Sequence, residues 1–325
     1  MRLSNPQWAP KPVWLLALAY GGSYAVFLLA LRGGEPVAGT EPLWPALLTG
    51  FALGVLMLLP LPIALLKQRA KAFGQTKRPR SVWSGISAGF IALATAMAFS
   101  FDGVGILTAL LFMRGGVLIL SPLIDGVLGR SVTTASWAAL ILSLAAVLFA
   151  VAGLSTLTFS PLMVATLVVY LAGYGVRLTL MTRGAKTPSA GLRAAYLSQE
   201  LVWTATVLAA ASLALWLTQN VTLSAFLPFV PAGFAYASAL TAGSLIYLDA
   251  RENTFTIPIN RGASLLAGLG VSASFAAIGK AAAPSGMDIA AACLILLALC
   301  VLALKAQRPH IFEQKLHSSS SPPQK

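Results

Sequence analysis

Two arginines stand where a charge is expensive. Arg114 lies in the apolar run Leu110-Leu111-Phe112-Met113-Arg114-Gly115-Gly116-Val117-Leu118, and Arg261 in Pro258-Ile259-Asn260-Arg261-Gly262-Ala263-Ser264-Leu265-Leu266. A guanidinium keeps its charge in any protein environment and costs about 2.5–3.5 kcal/mol or more at the centre of a membrane helix. Contact with an anion offsets that cost, and the planar fork suits a carboxylate or a phosphate. The competing reading of each is an internal ion pair, or bonding to backbone carbonyls, that locks helices together. Tyrosines form a second pattern. Tyr20 and Tyr24, like Tyr170 and Tyr174, are spaced i, i+4 and share a helix face. Such a face lines a polar cavity or marks a membrane interface. Glu200, preceded by Gln199, is the clearest acid within an apolar run. Its readings are a proton-coupling or cation-recognising carboxylate, or a structural partner for Arg177. Arg177 lies close enough to its helix end to snorkel to the surface. Asp102 and Asp125 read as helix-end residues or gates.

Other chemistries find little support. His310 and His317 both fall in a polar tail, leaving no imidazole in the apolar runs for metal binding or proton transfer. Cys293 and Cys300 are a heptad apart in one run, too far apart to bridge, and read as small apolar core residues. No Gly-x-x-x-x-Gly-Lys-Ser/Thr signature is present. No metal or cofactor is expected, and the chain reads as non-enzymatic. A membrane-embedded lipid-modifying enzyme and a non-transporting membrane component are the alternatives to a carrier.

These residues must be positioned by membrane helices. Of 325 residues, 58% are hydrophobic and 10% charged, against about 25% charged in a soluble domain. Ten runs approach the roughly 20 residues a bilayer needs: 13–31, 43–66, 82–101, 104–123, 135–154, 161–181, 195–217, 226–248, 256–278 and 288–305. They are continuous rather than alternating, which favours helices over a barrel. The first is long enough to span and reads as a retained helix rather than a cleaved signal. The net charge of +13 belongs to topology rather than to nucleic acid. With ten spans, 17 of the 22 Lys and Arg residues fall on one side and only Arg32 and Lys280 on the other. The positive-inside rule then puts both termini in the cytoplasm. The tail, 306–325, ends in Ser318-Ser319-Ser320-Ser321-Pro322-Pro323 and reads as disordered.

The runs divide into halves, 1–154 and 155–305. Aligning Arg114 with Arg261 also aligns Asp102 with Asp249, and aligning Arg32-Gly33 with Arg183-Gly184 also aligns Gly22 with Gly173. Five spans per half is odd, so the halves have opposite orientation, as in transporters whose site lies near the midplane. Arg114 is twelve residues beyond Asp102, about 18 Å along a helix and near the middle of a bilayer core. Arg261 bears the same relation to Asp249 from the other side. Gly50 and Gly54, and Gly85 and Gly89, have the spacing that lets helices pack closely. Gly115, Gly116 and Gly262 would let backbone or ligand approach beside the arginines.

From Thr108 to Leu154 the chain runs through a span with Ser121-Pro122, a turn ending Leu128-Gly129-Arg130, and Trp137 opening a helix rich in small residues. With the two five-helix halves and short loops, this resembles the drug/metabolite transporter superfamily, in particular its EamA-like ten-helix members. Arg130 stands where the family commonly has an acidic residue. The resemblance implies an all-α membrane protein of ten transmembrane helices in two inverted repeats. It implies alternating-access transport, often export, of a small metabolite from a central cavity. The distantly related sugar-phosphate translocators carry basic residues in the corresponding fourth and ninth helices. The expected site residues are Arg114, Arg261, Tyr20, Tyr24, Tyr170, Tyr174 and Glu200, with a carboxylate- or phosphate-bearing substrate. The expected partners are that substrate and the lipid bilayer of a bacterial inner membrane, with a homodimer left open and no nucleic acid.

Overall fold

The structure, a computed structural model, describes residues 11–33, 43–58, 78–98, 106–152, 160–186, 190–219, 223–279 and 285–307. The basic residues Lys67 to Lys77, Asp102, Lys280 and the tail after 307 lie outside them. Each of the ten apolar runs holds a long helix: α1 Lys11–Gly33, α2 Leu43–Leu58, α3 Arg78–Ala98, α4 Ile106–Val127, α5 Thr134–Ala152, α6 Pro161–Gly184, α7 Ala190–Gln219, α8 Val230–Tyr247, α9 Asn253–Ala277 and α10 Gly286–Gln307. Six of them, α1, α3, α6, α7, α8 and α10, contain a segment long and apolar enough by itself to cross a membrane. The chain is an all-α bundle with several membrane-spanning helices.

Helix α9 is excluded from the six by its own composition. Asn253, Thr254, Thr256, Asn260, Arg261 and Ser264 are all buried, because α1, α4, α5, α8 and α10 surround it. The outer surface is the reverse. Leu15 and Leu18 on α1, Phe90 on α3, Leu148 on α5, Trp216 and Leu217 on α7 and Leu296, Leu297 and Leu304 on α10 are exposed, as the lipid-facing side of a bundle must be. Cys293 and Cys300 belong to this outer surface. The expectation that they fill the core is therefore corrected: α10 turns its other face, with Ile295, Ala298 and Leu302, inward.

Helix α1 packs on α8 and α9, and α6 packs on α3 and α4. Helix α2 packs on α8 and α7, and α3 packs on α7. The pairs α4–α9 and α5–α10 meet, with α5 also against α4 and α10 against α9. The two small-residue pairs do the packing expected of them. Gly54 lies directly on the backbone of Gly233 in α8. A methyl group at Gly85 would stand 2.5 Å from the carbonyl oxygen of Glu200 in α7.

Local chemistry supports the helix ends and bends. Ser160 caps α6, its hydroxyl accepting from Met163 N at 3.1 Å with Pro161 following. Pro122 removes the N–H that the carbonyl of Leu118 would accept within α4. The Ser121 hydroxyl donates to that carbonyl instead, at 2.7 Å. The glycines beside the arginines pack rather than open space for a ligand. Gly115 faces Val147 of α5, Gly116 faces Leu171 of α6 and Gly262 faces Ile295 of α10.

Candidate functional site

Helices α1, α3, α4, α6, α8 and α9 enclose a cavity of about 40 Å³, room for about three water molecules. Its wall contains Tyr20, Tyr24, Tyr170, Tyr174, Arg114 and Arg261, so six of the seven residues expected from the sequence are brought together. The i, i+4 spacing explains the tyrosines: each pair turns one helix face inward, with ring centroids 5.8 Å apart on α1 and 4.8 Å apart on α6.

The arginines are held by rings and hydroxyls. The guanidinium carbon of Arg114 lies 4.6 Å from the centre of the Tyr24 ring, and that of Arg261 lies 4.6 Å from the Tyr174 ring. Arg261 Nη2 donates to the Tyr247 hydroxyl at 2.9 Å and Nη1 to the Tyr170 hydroxyl at 3.4 Å. Tyr247 in turn donates to Asn260 Oδ1 at 2.7 Å. Arg114 is 2% and Arg261 3% exposed, and among the described residues no carboxylate lies within ion-pair distance of either. Nε and Nη1 of Arg114, Nε of Arg261 and Nδ2 of Asn260 have no hydrogen-bond partner among the described residues.

Glu200 is not in the cavity wall. It sits behind it, paired with Arg177 through Nε and Oε1 at 2.5 Å. Arg177 does not snorkel. It is 1% exposed, lines the cavity and donates from Nη2 to Ser244 Oγ at 2.6 Å. Distance along α6 does not decide its fate, because both its partners lie inward, on α7 and α8. Nη1 of Arg177 has no partner among the described residues.

Sequence reasoning missed Tyr236, Tyr247 and Asn260. The signal for the first two was available: they are eleven residues apart on α8, about three turns, and so share a face. Asn260 directly precedes Arg261 and reaches the cavity because α9 is buried on most of its circumference.

A second polar cluster closes one end of the bundle. Asp125, at the end of α4, accepts from Asn253 N and Nδ2 on one oxygen, at 3.0 and 2.9 Å. Its other oxygen accepts from Thr254 N and Oγ1, both at 2.8 Å. Asp125 thus caps α9 from another helix, while the residue at α9's own cap position, Glu252, makes no capping bond. Glu252 instead accepts from Ser136 Oγ at 2.7 Å and Thr133 Oγ1 at 3.1 Å, tying the α9 start to α5. Arg130 donates to the carbonyl of Ala250 at 2.7 Å, and Lys186 to that of Arg251 at 2.6 Å. Burial pushes Asp249 up, but three hydrogen bonds from Arg251, one of them from its backbone N–H, and its charge outweigh that and leave it lowered.

Burial, and then the Arg130 charge, pull Lys186 down to about 7, against Asp125, Asp249 and Glu252. A lysine lowered on folding penalises the native state fully below its folded value, and the penalty fades as pH rises toward its unfolded value. Thermal stability should therefore climb between about pH 7 and about pH 10. Lys186→Met should flatten this part of the profile in detergent-solubilised protein. An unchanged profile in the variant would remove Lys186 as its cause.

Among the described residues no group of three His, Cys, Asp or Glu side chains is placed to hold a metal ion. No family model matches the sequence, and no curated protein matches it. Solved structures do match. One, described only as a crystal structure of a protein, has a TM-score of 0.60 and 18% identity, covering 91% of this chain and 98% of that one. At that identity the likeness shows the fold alone. The chain is an integral, multi-pass helical membrane protein with a buried cationic cavity.

Proposed function

We propose that the protein is a secondary transporter for a small metabolite carrying a carboxylate or phosphate group, rather than an enzyme. In this reading ten helices form two inverted five-helix repeats, and the substrate crosses by alternating access between them. The family resemblance makes export the direction and a bacterial inner membrane the location. The excess of basic residues on one side supports cytoplasmic termini.

The observation that carries the reading is chemical. Five buried nitrogens around one cavity have no hydrogen-bond partner among the described residues: Arg114 Nε and Nη1, Arg177 Nη1, Asn260 Nδ2 and Arg261 Nε. Among the described residues, three guanidiniums line the cavity and one carboxylate, Glu200 behind its wall, pairs with Arg177, leaving two positive charges in surplus. An unpaired buried ion costs several kcal/mol, so such a site favours an anionic, acceptor-rich occupant. The small cavity fits a compact anionic group, with the rest of a larger substrate entering only as helices separate.

Helix pairing supports the repeats. Replacing each helix by the one five later turns α1–α8 into α6–α3, α2–α8 into α7–α3, α1–α9 into α6–α4, and α4–α5 into α9–α10. The pairs α2–α7, α4–α9 and α5–α10 turn into themselves. Arg114 and Arg261 exchange places in the same operation.

The test is a thermal-shift screen of purified protein against metabolites. A ligand at a hundred times its dissociation constant stabilises the native state by about 2.7 kcal/mol, a shift of several degrees. Carboxylates or phosphates should produce it, and a protein with both Arg114→Gln and Arg261→Gln should lose it. Stabilisation by cations alone, or an equal shift in the variant, would sink the anion reading.

A further inference from the structure

A buried polar seam runs between α3 and α7, outside the cavity. It begins near Arg80, whose Nη1 donates to the carbonyl of Arg183 at 2.9 Å and whose own carbonyl accepts from the Tyr196 hydroxyl at 3.5 Å. The next residue, Ser81, donates its hydroxyl to Gln199 Oε1. At the inner end the Ser84 hydroxyl donates to Glu200 Oε1 at 3.1 Å. Ser81, Ser84, Gln199 and Glu200 are all buried, and none lines the cavity. Close packing at Gly85 brings the α7 backbone against α3 here.

Glu200 is lopsided. Oε1 takes both donors, from Arg177 and Ser84, while Oε2 is buried and has no partner among the described residues. Arg177, which lines the cavity, has the complementary asymmetry: Nε is given to Glu200, and Nη1 has no partner among the described residues. Among the described residues, Arg177 is the side chain that both lines the cavity and ends the seam.

We propose that Glu200 is a proton-binding site linked through Arg177 to occupancy of the cavity, so that an anion and a proton bind together. This rests on the anionic-substrate reading. The proton is released by hydronium or buffer acid in the medium, whose bond to hydrogen breaks as an O–H bond forms at Oε2. Neutral Glu200 no longer compensates Arg177, whose charge and free Nη1 then serve the anion. Linkage is reciprocal: if a proton on Glu200 strengthens anion binding, anion binding strengthens proton binding by the same factor. The charged and titratable groups on the helices packed around Glu200 are Arg80 on α3, Tyr174 and Arg177 on α6, Arg193 and Tyr196 on α7, and Tyr236 and Tyr247 on α8. Arginine and tyrosine ordinarily titrate far from neutrality, and α2 has no titratable residue in Leu43–Leu58. Glu200 is the carboxylate of the group.

Sulfate is the probe, because its charge is constant over the range used. Its affinity, read from the shift in melting temperature, should fall as pH rises in the wild type, by up to about tenfold per pH unit. Glu200→Gln, a permanently neutral isostere, should bind sulfate with the wild type's low-pH affinity at every pH. Lys186→Met should keep the wild-type dependence. In weakly buffered solution with an indicator dye, sulfate should draw up to one proton per site onto the wild type, a measurement that needs no variant to fold. Sulfate binding that ignores pH, or takes up no proton, overturns the coupling and leaves the anion site standing. Failure of sulfate to bind wild type or Glu200→Gln at any pH overturns the anion site and the coupling with it.

Discussion

A protein with Arg114→Gln and Arg261→Gln should be more stable than the wild type and unable to transport. The two effects share one cause. Each guanidinium is buried without a carboxylate partner among the described residues, and removing an ion from water costs several kcal/mol even after relaxation. The desolvated ring contacts to Tyr24 and Tyr174 return about 2 kcal/mol each. Hydrogen bonds from Arg261 to Tyr170 and Tyr247 return about 1.5–3 kcal/mol each, so most of the gain comes from Arg114. Glutamine keeps a donor in the cavity and removes the charge, so the unliganded variant should melt several degrees higher. Its flux should fall about 100-fold or more, because each lost charge-assisted bond to the anion is worth about 1.5–3 kcal/mol. Melting in detergent and uptake into proteoliposomes of the stabilising anion measure the two halves. A folded variant that transports normally would remove both arginines from the site.

Asp125→Ala should loosen one end of the bundle. The carboxylate accepts four hydrogen bonds, two of them from the first N–H groups of α9. Loss of a helix cap costs about 0.5–2 kcal/mol, and the buried amide and hydroxyl left behind add to it, so about 3 kcal/mol is expected. The consequence is directional. Under the proposed topology this cluster closes the cytoplasmic end, so the variant should shift toward an inward-open state. In a background with Cys293→Ser and Cys300→Ser, a cysteine at the cavity position Ala239 reports the change. A membrane-impermeant maleimide supplied from the cytoplasmic side should label it faster in Asp125→Ala than in its parent. Equal labelling rates together with a lower melting temperature would make Asp125 a cap and nothing more.

Much of this site was legible because charge and spacing are costly signals. An arginine in an apolar run demands a polar interior, and tyrosines four apart must share a face. The membrane-spanning helices were legible for the same reason, since the length and position of apolar runs are one-dimensional facts. What was not legible is radial direction. Distance along α6 gave Arg177 an exit to the surface, but Glu200 and Ser244 hold it inside. The i, i+4 rule cannot say which face of α10 meets lipid, so Cys293 and Cys300 were expected in the core. Asp125 was read as a helix end or a gate, but its cap on α9 spans 128 residues of sequence and has no local pattern.

The polarity of α9 has a consequence for how the chain is made. A helix bearing Asn253, Thr254, Thr256, Asn260 and Arg261 has little reason to partition into lipid on its own, since its arginine alone opposes insertion by about 2.5–3.5 kcal/mol at the centre. Its natural surroundings are the other helices, and most of those, including α1, α4 and α8, precede it on the ribosome. The strongly apolar α10 follows and can hold the segment in place once both have emerged. Biogenesis of this protein therefore depends on earlier helices waiting near the translocon, still unpacked, until the residue that completes the site arrives.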